Sequence, residues 1–241
     1  MTTPELTRLP WDSDFLGFPV GLAIVPYPGA AAVAAVAAQV HCLDMRLTYL
    51  LLDPDDAAAA AAARHAGAYL ADRKVTLQCP IPAHNASVEP VAAAVVRIRE
   101  FQPELEQLAL QSGEYSRFRT DKRFAPGVFE QLYNHWLRAS FSGEMAEAVF
   151  AFHNARSFPT GLLTLQPQGP VARIGLLAVR AETRGQGQGR ALVEAAQRTA
   201  QEWGCGSLRV TTQLDNEPAC RFYAQCGFTI EQVAHLYHLW R

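Results

Sequence analysis

Ile174-Gly175-Leu176-Leu177-Ala178-Val179 is an apolar run, and Arg184-Gly185-Gln186-Gly187-Gln188-Gly189-Arg190 follows it almost at once. Ala191-Leu192-Val193-Glu194-Ala195-Ala196 then opens an amphipathic helical pattern. Strand, glycine loop and helix together make an anion grip. The glycines leave backbone N–H groups uncovered. The first turn of the helix adds unpaired N–H groups and the positive end of the helix dipole. Arg184 puts a formal charge at the entrance, so a pyrophosphate is the expected guest. The loop is not a Walker A loop, because no Lys-Ser or Lys-Thr follows the last glycine. Gly185, Gly187 and Gly189 alternate, which is not the spacing of the dinucleotide fingerprint.

Downstream, Ser207-Leu208-Arg209-Val210-Thr211-Thr212-Gln213 alternates and is rich in β-branched residues, as a strand is. Asn216 is placed as an N-cap, with Pro218 in the first helical turn and Gly227 to end the helix. Phe228 starts a further strand. Arg-x-x-Gly-x-Gly over Arg184, Gly187 and Gly189, followed by Asn216, Ala219, Tyr223, Gly227 and Phe228, resembles the two signatures of the GNAT family, the GCN5-related N-acetyltransferases.

That resemblance implies an α/β (α+β) acyl-CoA N-acyltransferase fold. Its central sheet is mixed, mostly antiparallel and flanked by helices. It implies acetyl-CoA as co-substrate, held by Leu177, Ala178, Val179, Arg184, Gly185, Gln186, Gly187, Gln188, Gly189, Arg190, Asn216 and Tyr223. By resemblance, the strand at Leu176–Val179 splays from Leu208–Gln213, and pantetheine pairs with the free edge as an added strand would. A backbone N–H near Leu177 or Ala178 would then meet the thioester carbonyl; such a donor is typically worth about 3 kcal/mol. Tyr223 falls on the family's tyrosine and is the candidate general acid. A phenol of pKa about 10 is protonated at pH 7, and a thiolate of pKa about 8.5 must gain a proton as it leaves. No motif identifies a base; Glu144, Glu147, His135 and His153 are conceivable.

For the acceptor, Trp11-Asp12-Ser13-Asp14-Phe15-Leu16-Gly17, Ser116-Arg117-Phe118-Arg119, Arg173-Ile174-Gly175-Leu176-Leu177-Ala178 and the C-terminal Ala234–Arg241 resemble the nucleotide-sugar acetyltransferases of the dTDP-fucosamine type. Leu16 replaces a Phe of that pattern. The resemblance implies the amine of a dTDP-4-amino-4,6-dideoxyhexose as acceptor. Arg117 and Arg119 could meet its diphosphate, and Phe118 could offer an aromatic platform. Other amines remain open: a polyamine, an amino acid, an aminoglycoside or a protein N-terminus. So does a non-catalytic acyl-CoA-binding module.

The chain of 241 residues is 49% hydrophobic and 18% charged, ample for a sizeable core. Its net charge of −2 with no like-charge block speaks against a nucleic-acid partner. Ala30–Val40 is apolar but too short to span a bilayer, and no signal peptide is evident, so no membrane association is expected. Cys42, Cys79, Cys205, Cys220 and Cys226 form no Cys-x-x-Cys pair, which fits a reducing cytoplasm. No metal constellation is seen. The apolar C-terminal strand could pair across a homodimer.

Pro80 to Ser87 is turn-rich, and a domain boundary is expected there. Residues 1–90 would form a smaller N-terminal α/β domain and 91–241 the GNAT domain. Strand, acidic turn, helix, Gly, strand occurs at residues 47–78 and again at 208–239. Asp56 precedes Gly67 as Asn216 precedes Gly227, and Ala63 takes the place of Tyr223. The N-terminal part thus reads as a partial, non-catalytic echo of a GNAT half.

Overall fold

In a computed structural model, residues 5–81 and 94–241 are described. The expected domain break lies, from residue 82, outside them. Two compact units emerge. The first comprises Met1–Val75, Gln213–Asp215 and Gln232–Arg241, and the second Thr76–Thr212 and Asn216–Glu231. Two strands are divided between the units, β4 (Tyr69–Pro80) and β10 (Thr229–Trp240). The units therefore differ from one cut near residue 90. The cause is pairing: His235 to Trp240 lie antiparallel to β3 (Leu47–Leu52), from His235↔Leu52 to Trp240↔Leu47.

In the first unit, β1 (Thr7–Arg8) runs antiparallel to β2 (Val20–Ile24), and β2 runs parallel to β3. The run Leu47-Thr48-Tyr49-Leu50-Leu51-Leu52 is nearly continuous in apolar residues because successive side chains, which point to opposite faces, are almost all buried. Between β1 and β2, α1 (Pro10–Leu16) stacks Trp11 on Phe15, with ring centroids 5.2 Å apart. Buried Ser13 pins that helix, donating to the Leu9 carbonyl at 2.6 Å and accepting from the Val20 N–H at 3.0 Å. The helix α2 (Ala30–Cys42) buries Val33, Val36 and Val40, the spacing of one helical face. Opposite it, α3 (Ala57–His65) buries only Ala59 and Ala63, so the alanine run serves close helix packing.

The helix α3 and the helix that follows Asn216 also share a pattern of terminal hydrogen bonds. Asp56 caps α3 by accepting from Ala59 N–H at 2.8 Å, as Asn216 accepts from Ala219 N–H at 3.2 Å. Gly67 and Gly227 follow their helices at φ +88° and +85°. Ala68 N–H bonds Ala63 carbonyl at 2.9 Å, and Phe228 N–H bonds Tyr223 carbonyl at 3.0 Å. One difference is chemical. The second oxygen of Asp56 accepts from Gly29 N–H at 2.7 Å, at the start of α2. In the first unit a carboxylate of the chain itself thus sits at that helix N-terminus. Asp56→Ala should therefore cost about 2–3 kcal/mol, since a buried cap loses two N–H partners. Urea denaturation would read this as a lower midpoint, and an unchanged midpoint would contradict it.

In the second unit, β5 (Val95–Ile98), β6 (Ala148–His153), β7 (Pro159–Gln168) and β8 (Val171–Val179) form an antiparallel meander. On its far side β8 pairs in parallel with β9 (Ser207–Gln213). The sheet is mixed and mostly antiparallel, as expected. Buried faces of α4 (Leu105–Ser112), α6 (Val128–Phe141) and α7 (Gln188–Glu202) supply the core, with Leu105 and Leu108, Leu132 and Leu137, and Leu192 and Ala196. Two shorter helices complete the unit, α5 (Arg117–Thr120) and α8 (Glu217–Gln225).

Candidate active site

The site begins with a fault in a strand. Leu163 faces Leu177 and Leu165 faces Ile174, so β8 carries an extra residue at Gly175–Leu176. The Leu176 N–H leaves the ladder and donates instead to Thr164 Oγ1 at 2.8 Å. A Cβ on Gly175 would lie 2.7 Å from that oxygen, so a larger residue would obstruct the bond. Bulges of this kind bend a strand and end pairing. On the other edge, pairing with β9 runs from Val171↔Ser207 to Ile174↔Val210, and the two strands are unpaired beyond. The stretch from Leu176 to Val179 therefore splays from β9, as the family resemblance implies. Successive residues in an antiparallel strand direct their N–H groups to opposite edges. Of Leu177 and Ala178, one accordingly offers its N–H to the cleft.

The glycine loop closes one end of that cleft. Gly185 and Gly187 adopt φ +76° and +79°, conformations that L-residues rarely take. Gly187 stands at the N-cap of α7, and no side chain caps the helix. Its first-turn N–H groups are those an anion would find. Gln188 turns inward instead. Its Oε1 accepts from the hydroxyls of Thr160 at 3.0 Å and Thr183 at 3.1 Å, which ties the loop to β7. Arg184 Nε donates to the Val179 carbonyl at 3.2 Å, and Arg190 Nη2 donates to the Gln225 carbonyl at 3.1 Å. A Cβ on Gly189 would lie 3.0 Å from the Phe222 ring, so glycine lets α8 come close to the loop.

Tyr223 is buried on α8, between Phe222 at 5.2 Å and Phe228 at 5.4 Å. Burial, with smaller contributions from Cys226 and Cys220, holds its phenol well above the ordinary tyrosine value. Its hydroxyl therefore stays protonated in the folded chain.

A cavity of about 450 Å³ joins these parts within the second unit. Its wall includes Leu177, Ala178, Val179, Arg184, Gly185, Gly187, Gln188, Gly189, Arg190, Asn216 and Tyr223. Gln186 is exposed and lies off the wall. Arg117, Phe118 and Arg119 are also absent from it. Phe118 is 6% exposed and packs on Phe124 and Trp136. The Arg117 guanidinium lies 4.4 Å from its ring centroid, and that of Arg119 lies 5.2 Å from the Phe129 centroid. Glu144, Glu147, His135 and His153 do not line the cavity. Instead Gln111, Ser112, Glu114 and Tyr115, from the end of α4 and the turn after it, join residues of α8 such as Ala219 and Phe222 in the rest of the wall. Sequence reasoning passed over these residues, although they sit directly before Ser116-Arg117-Phe118-Arg119.

A strand that splays to open a cleft, beside the glycine loop and the tyrosine, is the arrangement the two signatures imply. The model of the Acetyltransferase (GNAT) family matches residues 98–228, more than half of the chain. The chain belongs to the GNAT family. Among curated relatives, a dTDP-fucosamine acetyltransferase of Escherichia coli is 32% identical over 156 residues, 64% of this chain and 65% of that protein. The spore coat polysaccharide biosynthesis protein SpsD of Bacillus subtilis is 26% identical over 134 residues, 56% of this chain and 46% of that protein. The alignments thus span less than two thirds of either relative. Among solved structures, a tandem GNAT protein from the clavulanic acid biosynthesis pathway superposes with a TM-score of 0.57 at 15% identity, covering 91% of this chain and 74% of that one. That likeness bears on the fold alone. Among the described residues, no helix is long and apolar enough to cross a membrane, and no group of three or more His, Cys, Asp or Glu is placed to hold a metal ion.

Proposed function

We propose that this GNAT protein is an N-acetyltransferase that moves an acetyl group from acetyl-CoA to the amine of a nucleotide-activated amino sugar. The observation that carries the reading is that the splayed β8 edge, the α7 N-terminus and Tyr223 share one cavity. Pyrophosphate would rest on the N–H groups of the loop, with Arg184 beside it. Pantetheine would lie along Leu177–Val179 and take the ladder positions that β9 leaves open. The acceptor nitrogen attacks the thioester carbon directly. The cleft-facing N–H of Leu177 or Ala178 stabilises the oxyanion. Tyr223 gives its proton to the departing thiolate.

The sugar acceptor rests on the 32% identity to a dTDP-fucosamine acetyltransferase and on a relative named for polysaccharide biosynthesis. We assign the chemistry to the second unit. The N-terminal segment is read as a non-catalytic GNAT-like half, because Asp56 takes the helix terminus that an anion would need. A cytoplasmic homodimer is the assembly we expect.

The test is free-thiol release from acetyl-CoA with a dTDP-4-amino-4,6-dideoxyhexose, its UDP counterpart, spermidine and an aminoglycoside. Turnover with a nucleotide sugar and not with the others is the expected result. Turnover with spermidine or the aminoglycoside alone would overturn the acceptor. Acetyl-CoA binding without thiol release on any amine would overturn the transferase reading.

A further inference from the structure

The charges on the cavity wall are segregated. Among the described residues its two cations, Arg184 and Arg190, belong to the glycine loop and the start of α7. Among the described residues its one carboxylate is Glu114, in the turn between α4 and α5. An amine in water is an ammonium ion and cannot attack a carbonyl until it loses a proton. The wall therefore offers a phosphate-binding end and one group suited to meet and deprotonate a cation. The C-terminal end of α4 adds carbonyl dipoles of the same sign beside it.

The turn that carries Glu114 is rigidly built. Gly113 carbonyl accepts from Ser116 N–H at 2.8 Å, which leaves Glu114 and Tyr115 at the turn's centre. A Cβ on Gly113 would fall 2.2 Å from Tyr133 Cζ, so the end of α4 lies flat on the ring that α6 presents. That ring is itself held by Phe129 at 4.8 Å and Trp136 at 4.9 Å. On the other side Ser116 caps α5, accepting from Phe118 N–H at 3.3 Å. The Ser116–Arg119 motif and the aromatic cluster thus act as a buttress that points the turn at the cavity. Preorganisation of this kind is what a proton-transfer group needs.

We propose that Glu114 is the general base, the group that takes the proton of the acceptor's ammonium. This deepens the acetyltransferase reading and rests on it. The ammonium N–H bond breaks and its proton passes to the Glu114 carboxylate. The freed lone pair forms the N–C bond at the thioester carbon. Collapse breaks the C–S bond, and the thiolate takes the Tyr223 proton. The nitrogen sheds its remaining extra proton to water, Tyr223 regains one from water, and Glu114 releases its own. One amide, one thiol and one solvent proton result.

Glu114→Gln keeps the size and removes the basicity. With acetyl-CoA and a dTDP-4-amino-4,6-dideoxyhexose, kcat should fall by about 10²-fold or more. The acetyl-CoA Kd and the melting temperature should stay unchanged, and Glu114→Asp should recover part of the rate. A kcat within about threefold of wild type with only KM raised would reduce Glu114 to an ammonium contact and overturn the proposal, as would an unchanged variant. In both cases the acetyltransferase reading stands, because the wild type turns over. A wild type that releases no thiol with any amine of the panel overturns that reading and this proposal together.

Discussion

Tyr223→Phe is expected to lower kcat by about 10²–10⁴-fold, the range for a positioned acid or base, while the acetyl-CoA Kd stays within about twofold. Phenylalanine fills the same space between Phe222 and Phe228, so only the hydroxyl is lost. The pH dependence has a definite sign. Burial raises the Tyr223 phenol, so the neutral form is favoured in the folded chain. The proton stays bound as pH climbs through the ordinary tyrosine value near 10. An alkaline fall in kcat/KM from this group should therefore be missing below about pH 10. Stability linked to Tyr223 is full below that pH and is lost only above it, where the unfolded chain ionises first. An unchanged kcat in the variant would remove Tyr223 as the acid.

Arg184→Ala is expected to act on the other variable. Its guanidinium is the charged group at the mouth of the glycine loop, held near the backbone by the Val179 carbonyl. Losing a hydrogen bond to a charged partner costs about 1.5–3 kcal/mol, or roughly 10- to 150-fold in the acetyl-CoA Kd. The kcat at saturation should stay near wild type, because Arg184 is remote from the reacting atoms in the proposed pose. Added salt should weaken the wild type more than the variant, since one screened charge pair is gone. Calorimetric titration at two ionic strengths would check both statements. An intact Kd would break the link between this loop and the pyrophosphate.

Much of the second unit was legible because its signals are local. Asn216, Pro218 and Gly227 mark the two ends of α8 by capping chemistry, and the structure keeps each in that role. Alternation in Ser207–Gln213 and the helical period after Gly189 needed no tertiary information. The splay of β8 could be expected only from the family resemblance. Its physical cause, the bulge at Gly175–Leu176, depends on a threonine hydroxyl on the neighbouring strand, and no local pattern announces that partner. The strand β2 was not assigned from Val20-Gly21-Leu22-Ala23-Ile24, whose glycine weakens the pattern. That glycine serves a close approach, since a Cβ there would lie 2.8 Å from Leu6 Cδ1.

The acceptor side was read one step away from where the cavity lies. Ser116-Arg117-Phe118-Arg119 has the composition of a binding motif, but Phe118 points into an aromatic cluster and the arginines lie over ring faces. Glu114 and Tyr115, just before it, have no distinctive spacing. Their place on the wall follows from the fit of Gly113 against Tyr133, a contact between two helices. The division into units had a similar origin. The last strand joins β3 through pairing that spans most of the chain, which a cut based on local composition cannot register.

The most direct test of the central claim is a calorimetric titration of the wild-type chain with CoA and, separately, with pantetheine. If the α7 N-terminus and its glycine loop hold the pyrophosphate, CoA binds at one site per chain and far more tightly than pantetheine, which lacks that group. Equal affinities, no CoA binding, or two CoA sites per chain would contradict the account.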